Sequence, residues 1–441
     1  MLMVGFTLQR TNPVWESRLM RVSSIGIGKT NNLNDLLTHL SQFDPTITGS
    51  NDDELVKVLV ADFIAVVRSN VTDTERNQLC EHFGADLTGM LAILNSRNDL
   101  DDVDWQMIHH PGSVIIPVVI GIGLEVKASG KQVIEAMRTG YYSMAMFSSI
   151  LTPDMRKKWH ATSVAGAIGA TQATSILLQL TQKERFAALN LACANLGGLA
   201  LAGSQRNGAA QFNRAAAAVI GVQAARAARQ GAPYLPDSFD KLLAAWDPAN
   251  NFGSATTFES PGDIGLSSAS LRLLPFSGFV QAAMFGYYSL LQSKREVSEI
   301  QIFVSAPTFK LTVTSKEETD WVDELWWNLP AAVAFLKSTG NPFAPRTGLI
   351  KSSENPNVTF LENKDLGVHQ AIIRTIDFDG TERDDLHTAP GLDPLNNESR
   401  EFWKRKCSDY LKVSATATTD LATTVTSDGL KFLTVQNLFL D

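Results

Sequence analysis

The sequence predicts a mainly α-helical protein, with a large all-helical part followed by a smaller α+β domain. Three observations carry this reading. Apolar residues of the first half recur at helical spacing, and Ala/Gly-rich runs at 165–180 and 215–230 have the composition of closely packed helices. After residue 251 the pattern changes: Gly-Ser, Pro-Gly and Ser-rich sequence through residue 270 reads as a crossing, beyond which alternating strand patterns mix with a helix.

The elements follow in order. Residues 54–69 place Leu55, Val58, Leu59, Phe63, Val66 and Val67 near one stripe, with Asp52 and Asp53 positioned to cap the helix. A second helix is expected from Thr74 through Glu81 to Leu94, and the polar run 95–104 is then loop or frayed helix end. Residues 165–180 and 186–202 are rich in Ala, Leu and Gly; glycine inside a helix costs about 1 kcal/mol relative to alanine, which its use offsets where helices approach closely. A third such helix, 215–230, meets a stop at Gly231 and Pro233. Beyond the crossing, 299–304 and 309–314 are expected as half-buried strands, 328–336 as a helix, and 372–377 as a strand reaching a turn at Gly380. Residues 342–356 and the Thr/Ser/Ala-rich segment after Lys412 read as loop and tail, and Asn397-Glu398 opens a closing helix containing Phe402, Trp403, Cys407 and Leu411.

A chain of 441 residues, 44% hydrophobic and 19% charged, is long enough for two sizeable cores. Its formal charge of -8 supplies no global positive field, so no nucleic-acid partner is expected. Cys80, Cys193 and Cys407 lack the paired spacing of a zinc site or redox dithiol and suggest a reducing compartment. The first ten residues lack the order of a secretory signal. The apolar run 113–124 is interrupted by Pro117 and ended by Glu125, short of a span of roughly 20 residues. A cytoplasmic protein with no membrane partner is expected.

The chemistry concentrates in two motifs. One runs Asn98-Asp99-Leu100-Asp101-Asp102-Val103-Asp104 and then His109-His110-Pro111-Gly112; the other is Lys157-Lys158-Trp159-His160-Ala161-Thr162-Ser163. A histidine titrating near neutrality can take a proton from an activated carbon while a second protonates a leaving hydroxyl, which suits His110 and His160. The competing reading is a packed or capping histidine, which is the commoner fate of a lone one. Alternate acids could ligate a hard cation, but the run lacks the glycine at position six and glutamate at position twelve of a calcium loop, and no metal is expected. A nucleophile elbow, a phosphate loop, a dinucleotide glycine fingerprint and a zinc helix are all missing, which leaves acid–base chemistry without a cofactor. Between Arg185 and Asp237 there are no acids, while Arg206, Arg214, Arg226 and Arg229 occur; this stretch either holds a carboxylate-rich ligand or is a solvated helix face.

These residues resemble the MmgE/PrpD family, which includes 2-methylcitrate dehydratase, cis-aconitate decarboxylase and iminodisuccinate epimerase. The resemblance covers most of 61–411 and is strongest in 95–119, 158–180 and 215–231. The family's Asp-x-Asp-Asp-Thr followed by His-Pro falls on Asp99-Leu100-Asp101-Asp102-Val103 and His110-Pro111; its Gly-Phe-His-x-Thr falls on Lys158-Trp159-His160-Ala161-Thr162. The resemblance implies a helical domain at 30–262 completed by 395–412 and an α+β lid at 268–392, in a homodimer with its active site between the domains, with 413–441 left as the tail its composition suggests. It implies His110, His160 and Asp99 as catalytic residues, and Arg272, Arg214, Arg206 and Asp102 as contacts to a small carboxylic-acid substrate.

Several positions depart from the family pattern. Val103 stands where a threonine is usual, Ala210-Gln211-Phe212-Asn213 stands for Lys-x-Leu-His, Arg272-Leu273-Leu274-Pro275 for Lys-Pro-Tyr-Pro, and Gln281 for a histidine. Each buried anionic group needs its own donor, so these losses suit a substrate less charged or more apolar than a tricarboxylate. The implied activity is a dehydratase of a citrate-like or alkylcitrate-like acid, in which one histidine is base and the other acid and Asp99 orients an imidazole. A decarboxylase, an epimerase, an isomerase or cyclase, or a non-enzymatic homologue is the alternative, and the sequence leaves open which histidine does which task.

Overall fold

Side-chain caps at Thr72, Ser129, Thr152 and Thr181 start four helices of the first half. The computed structural model describes residues 34–46, 51–82, 84–97, 99–201, 209–246, 264–313, 327–345 and 357–439. Arg206, most of the Ser/Gly-rich crossing and most of 342–356 lie outside the described residues.

Helix α1 (Asn34–Gln42) precedes α2 (Asp52–Asn70), which buries Leu55, Leu59, Phe63, Val66 and Val67 on the expected stripe. Its cap position is Asn51 rather than Asp52 or Asp53; Asp52 instead pairs with Arg138, Nε to Oδ2 at 2.8 Å. The single helix expected over 74–94 is two, α3 (Asp73–Leu79) and α4 (Gly84–Ser96), because Gly84 takes a φ of 57° and turns the chain between them. The loop after α4 carries β1 (Val103–Asp104), paired antiparallel with β2 (Ala269–Ser270), which ties the acidic motif to the start of the α+β part.

Among the described residues six further helices follow through residue 229: α5 (Gly112–Val126), α6 (Gly130–Ser149), α7 (Pro153–Lys158), α8 (Ala161–Leu177), α9 (Gln182–Cys193) and α10 (Ala209–Arg229). Helix α11 (Ser238–Trp246) comes next and stacks Trp246 on Trp159. Helix α8 is buried on every side, which explains why its sequence shows no apolar stripe. Its neighbours reach it through glycines. A Cβ on Gly169 would lie 2.7 Å from the Gly140 carbonyl oxygen of α6, and a Cβ on Gly221 of α10 would lie 2.6 Å from the Thr171 nitrogen. Gly221→Ala is therefore expected to lower stability by about 1–3 kcal/mol, outweighing the helix-propensity gain of about 1 kcal/mol. Urea unfolding checks this; a variant more stable than the parent would contradict the close approach.

The helix expected over 186–202 ends at Cys193, and Leu199 instead bridges to Trp159 beyond Gly198, whose φ is 104°. Cys193 and Cys407 are buried and Cys80 half-buried, all as free thiols. Among the described residues no helix is long and apolar enough to cross a membrane.

The α+β part packs α12 (Gln281–Ser293) and α14 (Leu329–Thr339) on a four-stranded sheet of β3 (Glu299–Val304), β4 (Val358–Glu362), β5 (Gln370–Ile376) and β6 (Glu382–Thr388). The strand order is β4-β3-β5-β6, with β3 and β4 parallel and the other pairs antiparallel. Ile302 faces Ile373 across the register, and both are buried with Phe276, Met284 and Phe335. Of residues 309–314, expected as a strand, 309–312 belong instead to α13 (Ala306–Thr312), and residue 314 lies outside the described residues: the Ser305 side chain accepts from Thr308 N and Pro307 occupies the first turn, a helix start the alternation concealed.

Helix α15 (Asn397–Arg405), capped by Asn396, returns to the helical body and continues into a π turn at Lys406–Leu411. The segment expected as loop and tail, 413–441, contains α16 (Ala415–Ser427), which packs on α2 and α6. Its buried residues, Thr418, Ala422 and Val425, keep helical spacing but are too weakly apolar to mark a core face in the sequence. The chain is thus mainly α-helical with a smaller region of short sheets, as the sequence predicts.

Candidate active site

The turn between α4 and β1 presents two acids to two arginines. Asp99 adopts a φ of 54° and places Oδ1 2.6 Å from Arg272 Nη1, with Arg214 Nη2 at 3.8 Å. Asp101 Oδ2 lies 2.9 Å from Arg214 Nη1, its Oδ1 is paired with Arg272 Nη2, and its carbonyl oxygen accepts from Arg272 Nε at 2.6 Å. Arg272, which follows β2, is 1% exposed, and Arg214 in α10 is 5% exposed, so both guanidiniums are already matched by carboxylates. Burial alone would raise Asp101, but Arg214 and Arg272, then His110, outweigh it and hold the carboxyl well below the usual range. Burial also opposes ionisation of Asp99, and Arg272 and His110 again prevail, so its pKa is lowered.

The two histidine motifs meet at Thr162. His110 N donates to Thr162 Oγ1 at 3.2 Å, in the first turn of the helix whose N-cap position is His160. The Nδ1 atom of His110 lies 2.9 Å from the Asp102 carbonyl oxygen. A carbonyl can only accept, so Nδ1 carries the hydrogen and Nε2 keeps a lone pair. Asp101 Oδ2 stands 3.9 Å from the same Nδ1, which makes Asp101 and the Asp102 carbonyl, rather than Asp99, the groups aligned on this ring. Burial first, then Arg272, pushes His110 down to about 4. The His160 backbone N–H donates to the Gly198 carbonyl at 2.8 Å, and its buried ring Nδ1 has no hydrogen-bond partner among the described residues. Burial, then Arg214 and His110, pushes His160 down to about 3. Both imidazoles are therefore neutral at neutral pH, as a base must be.

The remaining acids of the motif serve the fold. Asp104 accepts from Ser268 Oγ at 2.6 Å and from the nitrogens of Gln106 and Met107, and His109 bonds Ser148 Oγ at 2.8 Å. Asp102, read from the sequence as a substrate contact, has both oxygens taken inside the protein. Oδ1 accepts from Gly112 N at 2.6 Å and Oδ2 is 2.7 Å from the Tyr141 hydroxyl oxygen. A Cβ at Gly112 would lie 2.7 Å from Asp102 Cγ, so only glycine fits there. Burial raises Asp102 to about 7 against the pull of its Tyr141 hydrogen bond.

Of the acid-free stretch, Arg214 reaches the site, while Arg226 pairs with Glu125 Oε2 at 2.5 Å elsewhere. Arg206 lies outside the described residues. Gln281, where the family pattern has a histidine, is buried and bonds the nitrogen and oxygen of Leu274 and the oxygen of Phe276, so it braces the chain after Arg272. The sequence reading missed Tyr141, Asp62 and Lys406. Lys406 Nζ lies 2.6 Å from Asp62 Oδ1 and donates to the Leu100 carbonyl at 3.1 Å, beneath the Asp99–Asp101 turn. Nothing local marks these three: Tyr141 sits in an ordinary buried helix and Lys406 among surface-type Lys and Arg residues. No group of three or more His, Cys, Asp or Glu arranged for a metal occurs among the described residues.

A helical body that carries two neutral imidazoles beside an Asp–Arg cluster has the build of an acid–base site. Residues 77–240 match the MmgE/PrpD N-terminal domain, so the chain contains that domain and the resemblance seen in the two histidine motifs holds. The match takes in Asp99, Asp102, His110, His160 and Arg214, whereas Arg272 lies beyond it. None of the curated proteins compared matches the chain.

Proposed function

We propose that the protein is a cofactor-independent lyase that removes water from a small citrate-like or alkylcitrate-like hydroxy acid. The observation that carries this reading is the Nδ1–H of His110 fixed on the Asp102 carbonyl, which leaves Nε2 as base beside His160. His110 takes the proton α to a carboxylate, the C–H electrons form the new double bond, and the β C–O bond breaks as that proton is relayed through His160 to the departing hydroxide, which leaves as water. The carbon skeleton is neither oxidised nor reduced. Arg272 and Arg214 hold a substrate carboxylate at the partly exposed edge next to Asp99. Because Asp99 and Asp101 already match these two cations, the site has little positive charge to spare for a tricarboxylate. This supports a substrate with fewer carboxylates or an apolar substituent. The same reading includes a homodimer, a helical domain of 30–262 with 395–412, and a lid of 268–392.

Mass spectrometry of products from a panel of citrate, alkylcitrate, cis-aconitate and related hydroxy acids tests the proposal. A product lighter by water is expected; loss of carbon dioxide would make the enzyme a decarboxylase. His110→Ala and His160→Ala are expected to abolish turnover while leaving the circular dichroism and melting curve in place, and full activity in either variant would refute its assignment. Since the folded His110 titrates near 4, kcat/KM should rise with pH through that value and level off above it.

A further inference from the structure

Around the Asp99–Asp102 turn lie four buried or partly buried acids and three cations. Asp99 and Asp101 face Arg272 and Arg214, and Asp62 faces Lys406. Asp102 is the odd one: its partners are a backbone amide and a phenol, and among the described residues no cation lies within ion-pair distance of it. A water-poor cluster of this composition is neutral only when one acid keeps a proton, and the proton stays where no cation competes for the site. Asp102 also holds His110 twice. Its carbonyl accepts from the ring Nδ1, and its carboxyl accepts from Gly112 N at the end of the turn that carries the ring. Tyr141 anchors that carboxyl to α6.

We propose that Asp102, kept as a neutral carboxylic acid shared with Tyr141, is the positioning residue that fixes the tautomer and placement of His110. To an ionised Asp102 the Tyr141 hydroxyl donates across the 2.7 Å contact to Oδ2; in the neutral acid the proton sits on Oδ2 and is donated back to the Tyr141 oxygen, while Oδ1 accepts from Gly112 N. The groups that face Asp102 agree with a retained proton. Asp62 on α2 and Asp101 on the same turn both disfavour a second negative charge, and the Tyr141 phenol on α6 is raised well above its ordinary range by burial and by Asp102. His110 is neutral, and Lys406 and Arg272 are held by their own carboxylates. The inference rests on His110 as the base of the proposed reaction, but its test does not need turnover, so its failure is separate from failure to find a substrate.

Infrared spectroscopy of the full-length protein should show the C=O band of a protonated, hydrogen-bonded carboxyl that fades as pH is raised through about 7. The band should vanish in Asp102→Asn and shift in Tyr141→Phe. Asparagine can accept from Gly112 N and donate to Tyr141, so nitrogen NMR of labelled histidine, with His110 assigned by its loss in His110→Gln, should find the same tautomer in Asp102→Asn. Asp102→Ala should lose that tautomer signature; should it not fold, Tyr141→Phe supplies the comparison through broadening or loss of the same signal. A wild-type spectrum without the band, or an Asp102→Asn variant whose His110 tautomer changes, would overturn the proposal.

Discussion

Arg272→Met is expected to lower folding stability by about 3–5 kcal/mol, the range for removing one partner of a buried ion pair. The side chain is 1% exposed and its three nitrogens serve Asp99, Asp101 and the Asp101 carbonyl. Methionine replaces the volume and none of the charge, which leaves Asp101 with Arg214 alone in a site that excludes water. Arg272→Lys should recover only part of the loss, because an ammonium cannot deliver the fork and the Nε bond together. The pH dependence identifies the cause. Asp99 and Asp101 are held below their ordinary value of 3.8 in the folded protein, so their contribution is present above that pH and is lost as pH falls through the folded values. The difference between wild type and Arg272→Met should be full near neutrality and shrink below about pH 4. Urea unfolding at several pH values measures it, and a loss under about 1 kcal/mol, typical of surface pairs, or one independent of pH, would assign Arg272 a packing role only.

Where the sequence was legible, the signal was local. His110 and His160 sit in short composite motifs, and the structure joins those motifs through Thr162. The Gly/Ala composition of 165–180 and 215–230 announced close helix approach, which Gly169 and Gly221 make to their neighbours. The unread features depend on partners far along the chain. Asp102 reads from the sequence as a substrate contact, and only the fold shows Gly112 and Tyr141 claiming both its oxygens. Alternation in 309–314 is compatible with strand or short helix, and the Ser305 cap decides it. The strand β6 (Glu382–Thr388) carries Glu382, Arg383, Asp384 and Asp385 on an exposed edge and therefore has no apolar face to detect. Helix α16 buries threonine and alanine, so its composition reads as tail although its packing is that of a core helix.

Lys406→Met carries the second large effect. Lys406 is fully buried, with Nζ shared between Asp62 and the Leu100 carbonyl, and Asp62 also accepts from Trp403 Nε1 at 3.0 Å. Burial raises Asp62 even with Lys406 beside it, so removal of the ammonium leaves an acid that must take up a proton to remain inside. A loss of about 3–5 kcal/mol is expected. The double variant Asp62→Leu/Lys406→Met should regain most of it, since apolar side chains of similar volume can replace a buried pair at little cost. Simple additivity of the two single effects would show that the pair does not act as a unit. Because Leu100 lies between Asp99 and Asp101, the single variant should also loosen the acidic turn: amide exchange should accelerate in 99–102 and in 397–411 while β5 (Gln370–Ile376) keeps its protection. Acceleration spread evenly over both regions and the sheet would mean that Lys406 supports global stability alone, with no particular hold on the turn that carries the candidate site.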